Sequence, residues 1–206
     1  LIMSKISLYP EGKINKEGKL APAVIPFTNI EFDEYLIKIK EGEFQDEVLS
    51  YRTGKIEKLK LRGVTPSGVF SYRSSKNLTQ HSGFIAIDID TKDQVRKDFD
   101  IVRHEVEKDP YTYAVHDSVS GGGGIVVYYK IIPEKHFDSF LAIEKYFFDN
   151  YKIIIDKSCK NVDRYRFVSY DPDTYINKKS KTWKTYLKKA QVEPKLNYVF
   201  SNNDLD

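Results

Sequence analysis

A single cysteine, Cys159, excludes an internal disulfide and any zinc site built on cysteines, and its default part is that of a small apolar filler. No apolar stretch approaches the roughly 20 residues that a helix needs to cross a bilayer. The N-terminus carries neither a signal-peptide nor a transit pattern, with Met3 read as the natural start, and these absences predict a cytoplasmic protein with no membrane partner. No internal repeat is evident. No large charge excess exists either: 33 Lys and Arg against 30 Asp and Glu leave a formal +3, so any polyanionic partner must be met by local clusters. The hydrophobic share of 40% suits a globular chain, and 206 residues suit one α/β or α+β domain with a short appendage.

The basic residues are indeed clustered. Arg52, Lys55, Lys58, Lys60, Arg62, Arg73 and Lys76 form one stretch, and Lys178, Lys179, Lys181, Lys184, Lys188 and Lys189 another, with Trp183 and Tyr186 among them. Cations interleaved with aromatics suit a nucleic-acid backbone and its bases, although a lysine run is also an ordinary solvated surface. Hydrophobic periodicity predicts strands over Ser4–Leu8 and Ala23–Phe27, and helices over Asp33–Lys40 and Phe44–Tyr51. Gly63–Phe70 reads as extended and turn-rich. A strand follows at Phe84–Asp90, then a helix over Asp93–Glu107 carrying Val95, Phe99, Val102 and Val106. Two strands, Tyr111–His116 and Ile125–Ile131, flank a glycine loop. A helix opened by Pro133 presents Phe137, Phe140, Leu141, Glu144 and Phe147, and Ile153–Ile155 and Tyr165–Val168 complete the sheet. After Asp173 the pattern thins into a basic, partly helical tail.

Three groups of residues carry chemistry. Phe84-Ile85-Ala86-Ile87-Asp88-Ile89-Asp90 is an apolar run ending in carboxylates at i and i+2, which alternate strand geometry places on one face. Two such charges suit Mg²⁺ or Mn²⁺, hard cations that take carboxylate oxygens. The plainer reading is a strand running into a solvated acidic turn. In Ser118-Val119-Ser120-Gly121-Gly122-Gly123-Gly124, backbone N–H groups freed of Cβ atoms suit a phosphate or sugar, unless the run is only a loose hairpin. Asp156 ends Ile153-Ile154-Ile155 and is a third candidate metal carboxylate. Beyond it, Arg164 and Arg166 alternate onto one face, where planar forks suit a triphosphate or, more simply, pair with Asp163 or Asp171.

In this order, Asp88-Ile89-Asp90, the Ser-x-Ser-Gly loop, Ile155-Asp156 and Arg164-Tyr165-Arg166 resemble the motif set of the archaeo-eukaryotic primase, or primase-polymerase, superfamily. Pro66-Ser67-Gly68-Val69-Phe70, His81-Ser82-Gly83, Asp156-Lys157-Ser158-Cys159-Lys160 and Arg166-Phe167-Val168-Ser169-Tyr170-Asp171-Pro172 more closely resemble the domain found ahead of VirE-type helicases in bacterial mobile elements. The resemblance spans roughly Val64 to Asn177. It implies an α+β palm with an RRM-like, mainly antiparallel sheet covered by helices. The domain division that follows is an N-terminal α/β extension (1–62), a catalytic core (63–177) and a basic tail or linker (178–206) toward a further domain.

The implied function is metal-dependent, template-directed nucleotidyl transfer in replication of a mobile element. Asp88, Asp90 and Asp156 would hold Mg²⁺ or Mn²⁺; Ser118, Ser120, Gly121, Gly122, Gly123, Arg164 and Arg166 would bind the nucleoside triphosphate; Lys58, Lys60, Arg62, Arg73 and Lys76 would track a single-stranded DNA template; and a helicase domain or protein would be the partner. In many superfamily members the strand after the Ser-Gly loop carries a histidine that contacts the nucleotide. Here that strand reads Ile125-Val126-Val127-Tyr128-Tyr129, and His81 and His116, expected to be structural, lie near the motifs. The alternative is therefore an inactive primase-like nucleic-acid-binding module serving a helicase. Asp88-Ile89-Asp90-Thr91 also opens like the nucleophile motif of haloacid-dehalogenase-type phosphatases, but Lys92 replaces the expected small or β-branched residue, and the later lysine and acidic motif are not evident.

Overall fold

The apolar run before Asp88 lies in the middle of the molecule in the computed structural model, which describes residues 4–92 and 94–188. In chain order the elements are β1 (Lys5–Tyr9), β2 (Lys13–Ile14), β3 (Leu20–Ala21), β4 (Thr28–Glu31), α1 (Phe32–Glu41), α2 (Gln45–Arg52), β5 (Gly63–Thr65), β6 (Gly68–Phe70), β7 (Leu78–His81), β8 (Phe84–Ile89), α3 (Phe99–Glu107), β9 (Thr112–Asp117), β10 (Ile125–Lys130), α4 (His136–Tyr151), β11 (Arg166–Phe167) and β12 (Tyr175–Ile176). The fold is α+β, and the strand ladders among the described residues are antiparallel. No helix among the described residues is long and apolar enough to cross a membrane.

The central sheet runs β12-β9-β10-β8, and a second sheet runs β11-β5-β1-β4. Side chains alternate across the central strands, so each face builds its own core. Ile85, Ile87, Ile89, Val127 and Tyr129 pack with Val102 and Val106 of α3 and Phe140, Ile143 and Phe147 of α4. On the other face Phe84, Ala86, Val126 and Tyr128 meet Ile6 and Leu8 of β1 and the apolar stripe Phe32, Tyr35, Leu36 and Ile39 of α1. Burial on both faces explains why these strands read as continuous apolar runs rather than alternating ones. Asp88 has the parity of Phe84 and Ala86 and faces the second sheet.

That second sheet takes strands from both sides of position 62, since β1 pairs with β4 and β5, and β5 pairs with β11. Several expectations change here. The strand expected at Ala23–Phe27 lies at β4 instead: Pro26 cannot donate to a ladder, Ile25 and Phe27 are exposed, and Lys5 to Leu8 pair with Glu31 to Thr28. The helix expected from Asp93, which lies outside the described residues, starts only at Phe99. Residues before it are engaged elsewhere: Arg96 pairs with Asp98 and Glu105, and the side-chain amide of Gln94 grips Ile154, accepting from its N–H at 2.9 Å and donating to its C=O at 2.6 Å. That grip takes the place of a ladder for Ile153–Ile155, which is extended and buried at Ile153 and Ile155 but is not a strand. Tyr165–Val168 contributes only β11, and to the second sheet rather than the central one. Phe137 is exposed, while Phe140 and Phe147 of α4 face the core.

The start of the basic tail is not a loose appendage. β12 edges the central sheet, Trp183 is buried with its backbone N–H donating to Lys130 O at 2.8 Å, and Lys178 pairs with Asp33 at 3.0 Å. No helix occurs between 174 and 188. Lys189 and the rest of the expected linker lie outside the described residues.

Candidate functional site

The end of β8, the loop after β9, and the segment from Asp156 to Phe167 converge on one cleft of about 350 Å³. Asp88, Asp90, Asp156, Ser118, Ser120, Arg164 and Arg166 line it, with Lys58 and Arg73. Asp156 is brought to Asp88 by its backbone, whose N–H donates to the Asp88 carbonyl at 3.0 Å. Its carboxylate is oriented locally: Oδ1 accepts from the Ser158 N–H at 2.8 Å and Oδ2 from the Ser158 hydroxyl at 2.6 Å, a cap on the short 3₁₀ turn Lys157–Lys160.

The arginines meet these acids rather than Asp163 or Asp171. Arg166 grips both oxygens of Asp88 in a fork. Arg164 donates to Asp156 Oδ2 at 2.8 Å and stands 3.7 Å from Asp88 Oδ2. Asp171 instead binds Arg103 at 3.0 Å. Burial alone would push the Asp88 carboxyl up, but the Arg166 guanidinium, helped by Arg164, holds it below the usual carboxylate range. Burial opposes the Arg166 charge too, and Asp88 more than offsets it, so that guanidinium is held protonated.

The tight cluster of possible metal ligands among the described residues is Asp88, Asp156 and Cys159, with one atom of each within 4.8 Å of the others. Asp90 is not in it; it lies exposed just beyond the strand and lines the same cleft. Cys159 is more than filler, since its sulfur accepts from the Asp88 N–H at 3.4 Å and lies 3.8 Å from Asp88 Oδ2. Burial and then the Asp88 charge push its thiol up to about 12, so it is protonated and a poor partner for a hard ion. The oxygen donors of Asp88, Asp90 and Asp156 fit a hard divalent cation by their chemistry. Arg164 and Arg166 supply positive charge to the same oxygens.

His116 also belongs to the cleft. Val126 of β10 pairs with Asp88 on one side and His116 on the other, so the three share one row across the sheet. The imidazole is neutral: burial lowers its pKa to about 4, Nδ1 donates to the Asp117 carbonyl at 2.7 Å, and Nε2 accepts from the Tyr128 hydroxyl at 2.9 Å. His81 lies elsewhere, against His136 at 3.1 Å.

The glycine loop is not a loose hairpin. Arg52, at the end of α2, donates to the carbonyls of Ser118, Val119 and Tyr170, each at 3.1 Å, and Gly121, Gly122 and Gly123 take positive φ values that other residues rarely adopt. Ser118, Val119 and Ser120 line the cleft, whereas the three glycines do not. Arg52 is the loop's anchor, and its place in a basic stretch gave no hint of that.

The expected template residues divide. Lys58 lies over the Phe167 ring at 5.5 Å and Arg73 over Tyr165 at 4.9 Å, both on the cleft wall. Tyr165 packs so closely on β5 that a Cβ at Gly63 would fall 2.1 Å from its ring. Arg62 points to a structural task instead, bound to Glu47 at 2.7 Å and stacked on Phe44. Lys60 and Lys76 are exposed and outside the cleft lining.

The family model described as BT4734-like, N-terminal domain, matches residues 56–176, which include every acidic and arginine residue of the cleft. The chain belongs to that family. No curated protein and no solved structure matches it.

Proposed function

We propose that the protein is a metal-dependent nucleotidyltransferase of the primase-polymerase type, its central antiparallel sheet serving as an RRM-like palm, acting on single-stranded nucleic acid beside a helicase partner. The observation that carries the reading is the convergence of Asp88 and Asp156, 68 positions apart in the chain, on one cleft with Asp90, two arginines and a restrained Ser-Gly loop. Asp88, Asp90 and Asp156 would hold Mg²⁺ or Mn²⁺, which when bound would supply positive charge to a 3′-hydroxyl and to the α-phosphate and departing pyrophosphate. Arg164 offers fork donors to the triphosphate, Arg166 adds positive charge from its place on Asp88, Ser118 and Ser120 offer hydroxyls, and the Arg52 clamp on the Ser118 and Val119 carbonyls restrains the loop that carries them. Lys58 and Arg73 suit template phosphates by charge, leaving base pairing to read sequence.

The test is nucleotide incorporation on primed and unprimed single strands with Mn²⁺ or Mg²⁺. Asp88→Asn with Asp90→Asn should abolish it. Asparagine is preferred to alanine because its side-chain oxygen still accepts a hydrogen bond from the buried Arg166. Equal incorporation by wild type and variant would sink the proposal.

A second reading, an inactive module that binds nucleic acid for a helicase, is favoured by the fork of Arg166 on Asp88 and by Val126 standing in the middle of the row where His116 and Asp88 flank it. Wild-type protein that binds a single strand but takes up no triphosphate with Mn²⁺ in calorimetry would support it.

A further inference from the structure

Arg164 and Arg166 stand two positions apart and are held very differently. Arg166 is fixed by the β11 ladder opposite Val64, its side chain only 7% exposed and both ends of its fork on one carboxylate. Arg164 precedes that ladder in a turn, its side chain is 37% exposed, and its guanidinium makes one hydrogen bond, to Asp156. Its Nε–H is buried and has no partner. A guanidinium has five donors, so this one is undersatisfied where it stands. Asp156, by contrast, does not need Arg164 for its orientation, because Ser158 holds both of its oxygens.

We propose that Arg164 is an exchangeable internal cation: it neutralises Asp156 and Asp88 while no triphosphate is bound, competes there with a divalent ion, and transfers its fork to the phosphates when a nucleotide enters. The proposal rests on the nucleotidyltransferase reading and names Arg164 as the residue that couples the two ligands. A phosphate oxygen would satisfy the orphaned Nε–H and a neighbouring Nη–H together, which the single Asp156 contact does not. Departure of the guanidinium would return to Asp156 and Asp88 the charge that a divalent ion requires. Linkage then makes the effect reciprocal: triphosphate strengthens metal binding and metal strengthens triphosphate binding by the same factor, part of which passes through Arg164. Arg166 has no such freedom and would stay on Asp88.

The experiment titrates Mn²⁺ alone, followed by its electron paramagnetic resonance signal, into the full chain and into Arg164→Gln, and then repeats the titration with a non-hydrolysable nucleoside triphosphate. Removing a half-exposed competing cation should tighten binding of Mn²⁺ alone by about three- to tenfold. The same variant should bind the triphosphate more weakly and show a smaller gain in Mn²⁺ affinity when the analogue is added. Arg164→Lys keeps the charge without the fork, and should leave Mn²⁺ affinity near wild type while still weakening the triphosphate. Thermal unfolding of both variants within a few degrees of wild type checks that the fold is intact. Equal or weaker Mn²⁺ binding by Arg164→Gln overturns the exchange and leaves the enzyme reading standing. No Mn²⁺ uptake by wild type or variant overturns both.

Discussion

The buried carboxylate of Asp109 and the partly buried one of Asp88 sit on opposite faces of the same sheet and are satisfied in opposite ways. Asp109, on the face covered by α3 and α4, receives the hydroxyls of Tyr129 at 3.0 Å, Tyr146 at 2.9 Å and Tyr151, and the Tyr111 N–H at 2.8 Å. Those rings belong to a cluster with Phe147 and Trp183. Burial, reinforced by the Asp109 charge, pushes the Tyr146 phenol up to about 12, so the donors stay protonated and neutral. Asp88 is instead balanced by guanidinium charges, one of them half exposed, at the wall of an open cleft. Neutral donors closed over by aromatic packing make a permanent joint. A charged partner that faces the cleft, as Arg164 does, is open to exchange for another cation or another anion in a way that Arg166 is not. Burial of an acid is thus no sign of function by itself; what matters is whether its partners can be exchanged.

The sharpest way to break this contrast is to remove Arg166. Arg166→Leu leaves Asp88 buried without its fork, and losing one partner of a buried pair costs about 3–5 kcal/mol. Urea unfolding would measure it, and adding Asp88→Leu should recover most of the loss because two apolar side chains have no charge to strand. A single-variant loss below about 1 kcal/mol, the range of an exposed pair, would mean that the two acids are not so different. Asp109→Ala comes next. It leaves three tyrosine hydroxyls competing for solvent and should cost about 3 kcal/mol, since a buried polar group left unpaired costs about 1–3 kcal/mol and two of the rings lie near the surface. The same variant should leave Mn²⁺ binding unchanged, because Asp109 lies on the far face.

Much of the cleft was legible in the sequence because its acids end apolar runs. Ile85, Ile87 and Ile89 announce a buried strand, and Asp88 breaks the run where a carboxylate needs a reason; Ile153 and Ile155 do the same for Asp156. The glycine run announces an unusual backbone, as its positive φ values bear out. What stayed hidden depends on pairing across distance. Arg166 and Asp88 are 78 positions apart, and Arg52 reaches carbonyls 66, 67 and 118 positions away. Local spacing offered Asp163 and Asp171 as partners because they were near in the chain. The three tyrosines on Asp109 come from β10 and α4, with no shared motif. The false strand at Ala23–Phe27 and the early helix start at Asp93 are failures of apolar periodicity where proline or a side-chain clamp overrides it.

The smallest effect concerns acid, and it treats histidines as a third kind of buried group. Burial lowers His116 and His81 to about 4 and His136 to about 3, against an ordinary value of 6.5. Around the last two the hydrogen bonds define a tautomer chain: the Gly83 N–H donates to His81 Nδ1, so His81 Nε2–H donates to His136 Nδ1, and His136 Nε2–H is buried without a partner. Neither ring gains a proton without breaking that chain, though Glu134 favours a charged His81. The sign follows from which state binds more protons. Between the ordinary value and the lower folded ones, the unfolded chain is protonated and the folded chain is not, so stability falls as pH drops from about 6.5 toward 4. Asp88 acts in the same direction only later, as pH falls below the ordinary carboxylate range, because its folded value is depressed. Urea unfolding at pH 7.5 and 6 should show the histidine loss before the carboxylate loss begins. His136→Gln removes one titrating ring and should reduce the difference between those two pH values by about 0.5–1 kcal/mol. An unchanged difference would mean that His136 is reached by water and protons in the folded protein.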